Sequence, residues 1–241
     1  MPSHPSERQR PAARTIMNLV LALDCAVGGL GVAVVRDGAC LASLREEGRD
    51  QAARLLPAVK SVLRDAGVGR RELSLIAVTI GPGSFTGVRV GLAAARGLAV
   101  GLDVPLAGFS TTSVLMAQAA TPGRLVVAAV DSRLGDWFCA IGEEAEEPFA
   151  TTAAELVDRL RDRSCIVVGA EVGPLVEQLV AAGVDAEAEV AHVDPIVIAR
   201  LALASGLEAW RARNAREGLP RPLYLRGVSI TLPNGARRTV D

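Results

Sequence analysis

Histidine is scarce in this chain: only His4 and His192 are present. A three-His zinc centre is therefore excluded, and a two-His centre would have to recruit the polar stretch around His4. Lysine is scarcer still. Lys60 is the only one and lies inside a helical pattern. No glycine-rich loop precedes it, so there is no Walker-type phosphate lysine. Aromatic residues make up 3% of 241 residues, which argues against a base-stacking platform. A surplus of either charge is also missing: 26 basic and 27 acidic side chains leave a formal net charge of −1. A protein that grips nucleic acid by its own field needs a basic surplus. The four cysteines, Cys25, Cys40, Cys139 and Cys165, form no CxxC pair. All fall in apolar stretches and read as buried, reduced thiols. Glycine and charge interrupt the longest apolar runs, and the polar segment Met1–Arg14 has no signal-peptide core. Neither a membrane span nor secretion is expected, and a cytoplasmic location follows.

Apolar side chains make up 50% of the chain, ample core for one large domain or two small ones. Residues 1–17 read as a disordered leader containing Pro2, Pro5 and Pro11. LVLALDCA (Leu19–Ala26) is a near-continuous apolar run that suits a strand buried on both faces. Two further strands follow, joined at Asp37-Gly38, a two-residue hairpin signal. Leu55, Leu56, Val59, Val62, Leu63 and Ala66 then recur at helical spacing. A buried strand (73–81), a glycine-rich turn, a helix (86–100), a short strand (104–107) and a helix (110–120) come next. The pattern restarts at LVVAAVDS (Leu125–Ser132), which ends in Asp131 as the first strand ended in Asp24. After a second strand, helices over 152–162, 173–182 and 194–213 alternate with strands over 165–170 and 186–190. The expected organisation is a duplicated α/β protein, with lobes over 18–121 and 122–227 and a tail over 228–241. Pro122-Gly123 marks the break between the lobes.

Three groups of residues carry candidate chemistry. Asp24 and Asp131 end matching strands and would face a ligand crevice together, or would simply start turns. GPGSFTGVR (Gly81–Arg89) is the densest signal. Its Gly81, Gly83, Ser84, Thr86 and Arg89 suit either a phosphate or anion loop at a helix start or a structural elbow. The helix beyond it carries Gly87, Gly91 and Ala95 at four-residue spacing, with Gly97 and Gly101 further on. A glycine costs about 1 kcal/mol in a helix interior. Close approach of another backbone, internal or from a second subunit, offsets that cost. An apolar face built from Leu55, Val59 and Val62 with Gly87, Val88, Gly91, Leu92 and Ala95 is the candidate partner interface. No Gly-x-Ser-x-Gly elbow accompanies Ser84, so a serine nucleophile is disfavoured.

LALDCAVGGLGVAVVRDG, LSLIAVTIGPGSFTGVRVGLAAARGLAVGLDVPLAGFST, VVAAVDSRLGDWFCAIG and PLYLRG resemble the TsaB (YeaZ) family, over residues 18–227. The resemblance implies an actin-like (ASKHA) α/β fold of two RNase H-like lobes, each a mixed sheet flanked by helices. It implies a non-catalytic dimerisation subunit for making N6-threonylcarbamoyladenosine at position 37 of tRNAs that read codons starting with A. In the family, TsaD transfers the threonylcarbamoyl group and holds a metal through histidines, which this chain lacks. TsaE binds ATP. The resemblance therefore implies no metal or cofactor of this chain's own, with ATP and Mg²⁺ used through partner subunits and tRNA met only within the complex. It implies pairing with TsaD, or with a second copy, through two helices that map to Gln51–Ala66 and Thr86–Val100. The alternative is a free-standing nucleotide-binding enzyme of the actin-like class, working through Asp24, Asp131 and the Gly81–Thr86 turn.

Overall fold

The computed structural model describes residues 18–48, 50–119, 123–142 and 147–225, and the backbone of 228–231 and 237–240. The expected leader (1–17), His4 and part of the expected lobe boundary lie outside the described residues.

Two five-stranded sheets form the frame. The first contains β1 (Leu19–Asp24), β2 (Gly29–Arg36), β3 (Ala39–Glu47), β4 (Leu75–Thr79) and β5 (Leu106–Phe109), in the order β3-β2-β1-β4-β5. β1 to β3 are antiparallel, and β4 and β5 run parallel to β1. Asp37 and Gly38 both take positive φ, at 48° and 87°, which closes the β2–β3 hairpin with the twist such a pair requires. The second sheet contains β6 (Leu125–Asp131), β7 (Trp137–Ile141), β8 (Phe149–Thr151), β9 (Ser164–Gly169) and β10 (Asp185–Val190), in the order β10-β9-β6-β7-β8. Counted from its own first strand, this is the topology of the first sheet. A further pair, β11 (Val228–Thr231) and β12 (Arg237–Val240), stands where the sequence reads as a tail.

Helices fill three layers around these sheets. α1 (Gln51–Asp65) and α2 (Phe85–Leu102) cover the outer face of the first sheet and share a core with Leu21, Leu23, Val32 and Ile76. α4 (Ala153–Leu160) and α5 (Gly173–Ala181) cover the outer face of the second, around Val127, Val167 and Leu175. Between the sheets lie α3 (Thr111–Gln118) and α6 (Pro195–Ser205). Each middle helix packs on the other half's sheet: α3 rests on β6, and α6 on β1 and β2. α2 is the described helix long and apolar enough to cross a bilayer. Here its Leu92, Ala95 and Ala99 belong to the core under the first sheet.

The sequence reads 194–213 as one helix, and the structure divides it. Gly206, at φ 79° and ψ 149°, ends α6, and α7 (Leu207–Glu217) turns back. The Trp210 indole donates to the Ala202 carbonyl freed by the break (2.9 Å) and packs edge-on against Phe109. Cys25, Cys139 and Cys165 are buried thiols, but Cys40 is exposed because β3 is an edge strand.

The opposite edge of the first sheet is closed by one side chain. Asn214 on α7 accepts from the Leu106 amide (2.7 Å) and donates to its carbonyl (3.0 Å), acting as one more strand residue beside β5. Asn214→Ala removes both bonds from a part-buried edge. It is expected to cost about 1–3 kcal/mol, read as a lower urea midpoint with an unchanged m-value.

Candidate functional site

The segments that follow the C-terminal ends of β1, β4, β6, β9 and β10 enclose a cleft of about 1240 Å³ between the lobes. Ala26–Gly29, Pro82 and Ser84–Thr86 line one wall, and Asp131–Leu134 with Glu171 line the other. Asp24 and Arg89 stand outside the lining.

The glycine-rich turn folds onto its own protein. A Cβ on Gly83 would sit 2.3 Å from the Ala26 carbonyl oxygen, and one on Gly87 would sit 2.0 Å from that of Cys25. The Ser84 amide donates to the Ala26 carbonyl (2.7 Å), and the Ser84 hydroxyl caps α2 by accepting from the Gly87 amide (3.1 Å). The Gly81 carbonyl receives the Thr111 amide (2.8 Å). These contacts brace the turn as an elbow between β4 and α2. Thr86 is exposed on the cleft wall. Arg89 is drawn aside. Its guanidinium lies 3.6 Å over the Phe85 ring, and its Nε donates to the Tyr224 hydroxyl (2.8 Å).

The two aspartates do not form a pair across the cleft. Asp24 is fully buried. One carboxylate oxygen accepts from the Thr79 hydroxyl (2.6 Å) and the Ala26 amide (3.0 Å), and the other has no partner among the described residues. Burial pushes its pKa up to about 6, against the opposing pull of those two bonds and of Arg45. Asp131 does line the cleft. It accepts from the Arg133 amide (2.7 Å) and pairs with the Arg133 guanidinium (3.5 Å), which also holds Glu171 (2.5 Å). One carboxylate is thus sealed, and the other shares the Arg133 guanidinium with Glu171. Among the described residues, no three His, Cys, Asp or Glu side chains stand together as a metal site.

The residues expected to face a partner face inward. Leu55, Val59, Val62, Leu92 and Ala95 belong to the core under the first sheet, and Gly87, Val88 and Gly91 are buried as well. The cause is the Cys25 turn. Only the glycine side of α2 approaches it closely, with Gly91 set against the Cys25 side chain (3.3 Å from a built Cβ). The outer side of α2 presents Ala93, Gly97, Val100 and Gly101, with Leu56 exposed on α1. Among the described residues, nothing lies within 4 Å of a Cβ built on Gly97 or Gly101. Sequence reasoning noted these two glycines but chose the Gly87–Gly91–Ala95 stripe as the interface, and the structure buries that stripe.

Two lobes of one topology, interleaved helices and a cleft at the strand ends define an actin-like protein. Residues 45–215 match the family model described as TsaD: tRNA N6-adenosine threonylcarbamoyltransferase. The chain belongs to this family, on its TsaB (YeaZ) branch. The protein named tRNA threonylcarbamoyladenosine biosynthesis protein TsaB in Escherichia coli (strain K12) is 38% identical over 124 residues, 50% of this chain and 53% of its own length. That of Bacillus subtilis (strain 168) is 35% identical over 117 residues, 48% of this chain and 51% of its own. The chain thus spans about half the length of the curated relatives it matches. The solved structure of YeaZ from Pseudomonas aeruginosa superposes with a TM-score of 0.69 at 26% identity, covering 87% of this chain and 100% of that one.

Two substitutions separate the stripes. Gly91→Glu forces a charge against Cys25 and is expected to unfold the chain, whereas Gly97→Ala, in open space, adds about 0.5–1 kcal/mol. Thermal melts compare them directly. Asp24 gives a pH test. Its folded pKa (about 6) lies above its ordinary value (3.8), so the stability due to its neutral form is complete below about pH 3.8 and is lost as pH rises through 6. Asp24→Asn removes that loss, so its stability gain over the native chain is expected to be about 1–3 kcal/mol at pH 8 and near zero at pH 4. Urea titrations at both pH values check it.

Proposed function

We propose that this chain is the non-catalytic partner subunit for threonylcarbamoyl transfer to adenosine 37 of tRNAs reading ANN codons. It works by binding and ordering a TsaD-type subunit through the outer sides of α1 and α2. The observation that carries this reading is the open stripe of Gly97 and Gly101. A glycine costs about 1 kcal/mol in a helix interior, and at Gly97 no contact among the described residues offsets that cost. Closely packed helices from another subunit would. Val100 at 71% exposed and Leu56 at 57% supply apolar area beside the stripe. The sealed Asp24 and the Arg133-bound Asp131 support the absence of a catalytic centre in the cleft. The relatives' shared name in threonylcarbamoyladenosine biosynthesis supports the pathway. On this reading ATP and Mg²⁺ enter through partner subunits, TsaE among them, tRNA is met only in the assembled complex, and the site of action is the cytoplasm.

Gly97→Arg is expected to abolish co-purification with the TsaD-type subunit of the same organism. The variant's circular dichroism should match that of the native chain, and its melting temperature should be no lower. Retained binding rejects the surface. Tight ATP–Mg²⁺ binding by the isolated chain, lost in Asp131→Ala, favours instead the free-standing nucleotide enzyme for which the 1240 Å³ cleft has room.

A further inference from the structure

β1, β2 and β3 share one cross-strand row in which Asp24 stands opposite Gly31, and Gly31 opposite Arg45. The row lies on the inner face of the first sheet, the face that carries Val20, Ala22 and Ala33. Its middle position has no side chain. The Pro195 ring closes over Gly31, 3.3 Å from where a Cβ would stand, and the Asp24 Cβ lies 3.7 Å from the same point. Arg45 reaches inward from the edge strand. Its Nη1 donates to the Val193 carbonyl (3.4 Å), and its Nη2 lies 3.7 Å from where a Cβ on Gly28 would be.

Two buried atoms of this row lack partners among the described residues: Oδ2 of Asp24 and Nη2 of Arg45. Ionisation of Asp24 makes them an acceptor and a donor of opposite charge. A guanidinium bonds a carboxylate about twice as strongly as it bonds a neutral carbonyl. The bond to Val193 is moreover long for its kind. It is the weaker of the two claims on Arg45 once Asp24 is charged.

Val193 belongs to the linker between β10 and α6. Ala191 and Val193 of this linker line the cleft, as do Ala26–Gly29 of the turn after β1. The second half and α3 hold the linker through the Gly169 carbonyl, which accepts from the Ala191 amide (3.0 Å), and through Gln118, which donates to the His192 carbonyl (2.8 Å) and accepts from the Asp194 amide (2.9 Å). Arg45 holds it from the first sheet. Other groups nearby are accounted for. Thr79 from β4 and Pro195 from α6 bring no charge. The Asp194 carboxylate accepts from the Ile196 amide (2.8 Å), and burial pushes the Cys25 thiol up to about 12. His192 is the remaining group able to exchange a proton, with Nδ1 3.7 Å from the same Gly28 position.

We propose that Arg45 is a proton-operated latch behind the cleft. With Asp24 neutral, Arg45 holds the Val193 carbonyl and with it the linker. When Asp24 gives its proton to water, the guanidinium turns to the carboxylate and releases Val193, and the cleft wall at Ala191–Val193 loosens. The latch is independent of the docking face on α1 and α2.

The test titrates the native chain by NMR between pH 5 and pH 8. It reads the Asp24 carboxyl carbon, the Arg45 guanidinium nitrogens and the Val193 carbonyl carbon, together with amide exchange at Ala191 and Asp194 corrected for its intrinsic dependence on pH. The three signals are expected to move with one midpoint near 6. Linker exchange is expected to rise about 3- to 10-fold across it, the worth of one hydrogen bond. Asp24→Asn is expected to keep the Arg45 and Val193 signals at their low-pH positions throughout. Arg45→Gln is expected to leave linker exchange high at both ends of the range while Asp24 still titrates. His192→Gln is expected to leave the transition in place. If Asp24 titrates while the Val193 signal and linker exchange stay constant, there is no latch, and this native titration decides the matter even where a variant fails to fold. If the transition survives Asp24→Asn or vanishes in His192→Gln, another group carries the proton and the proposal is overturned.

Discussion

The first turns of α2 rest directly on the backbone of the Cys25–Ala26 turn, and much of the molecule follows from that contact. It requires hydrogen at Gly83 and Gly87, where a methyl group would overlap a carbonyl oxygen, and it sets Gly91 tightly against the Cys25 side chain. It fixes the rotation of α2 about its axis. The Gly87–Gly91–Ala95 stripe goes into the core, and the Ala93–Gly97–Gly101 stripe goes to solvent. It also braces the turn, where the Ser84 amide is bonded to Ala26 and the Ser84 hydroxyl to Gly87.

Much of the frame was legible in the sequence. β1, β4, β6 and β9 are buried on both faces and therefore read as unbroken apolar runs, and Asp37-Gly38 announces the hairpin by the positive φ that it needs. The repeat was visible because both halves open with a strand ending in aspartate. β8 was missed, since three residues show no period. α6 and α7 were merged because helix formers flank Gly206 on both sides, and the break depends on a tertiary bond from Trp210 to Ala202. The site was less legible for the same reason. Helical spacing offers two stripes of small residues on α2, and only the Cys25 carbonyl decides between them. Asp24 and Asp131 look equivalent in sequence. Burial and Thr79, 55 residues away, act on Asp24, whereas Arg133, two residues on, turns back onto Asp131.

The contrast between those aspartates frames the proposed role. An actin-like scaffold ordinarily draws its ligand into the crevice at the strand ends. In this chain the crevice persists as space, while the first-lobe carboxylate is closed over by a hydroxyl and an amide, and the second is held by an arginine already bound to Glu171. The outer helices, by contrast, present open glycines at 97 and 101 and exposed Leu56 and Val100. The proposed function thus moves the work of the fold from its cleft to its surface.

α3 lies on the sheet of the second half and α6 on the sheet of the first, so each half lends the other a wall of its core. Neither sheet can bury its inner face until the whole chain has been threaded past the other. The polypeptide is therefore expected to melt as one cooperative body rather than as two independent modules, because its lobes are laced together by α3 and α6.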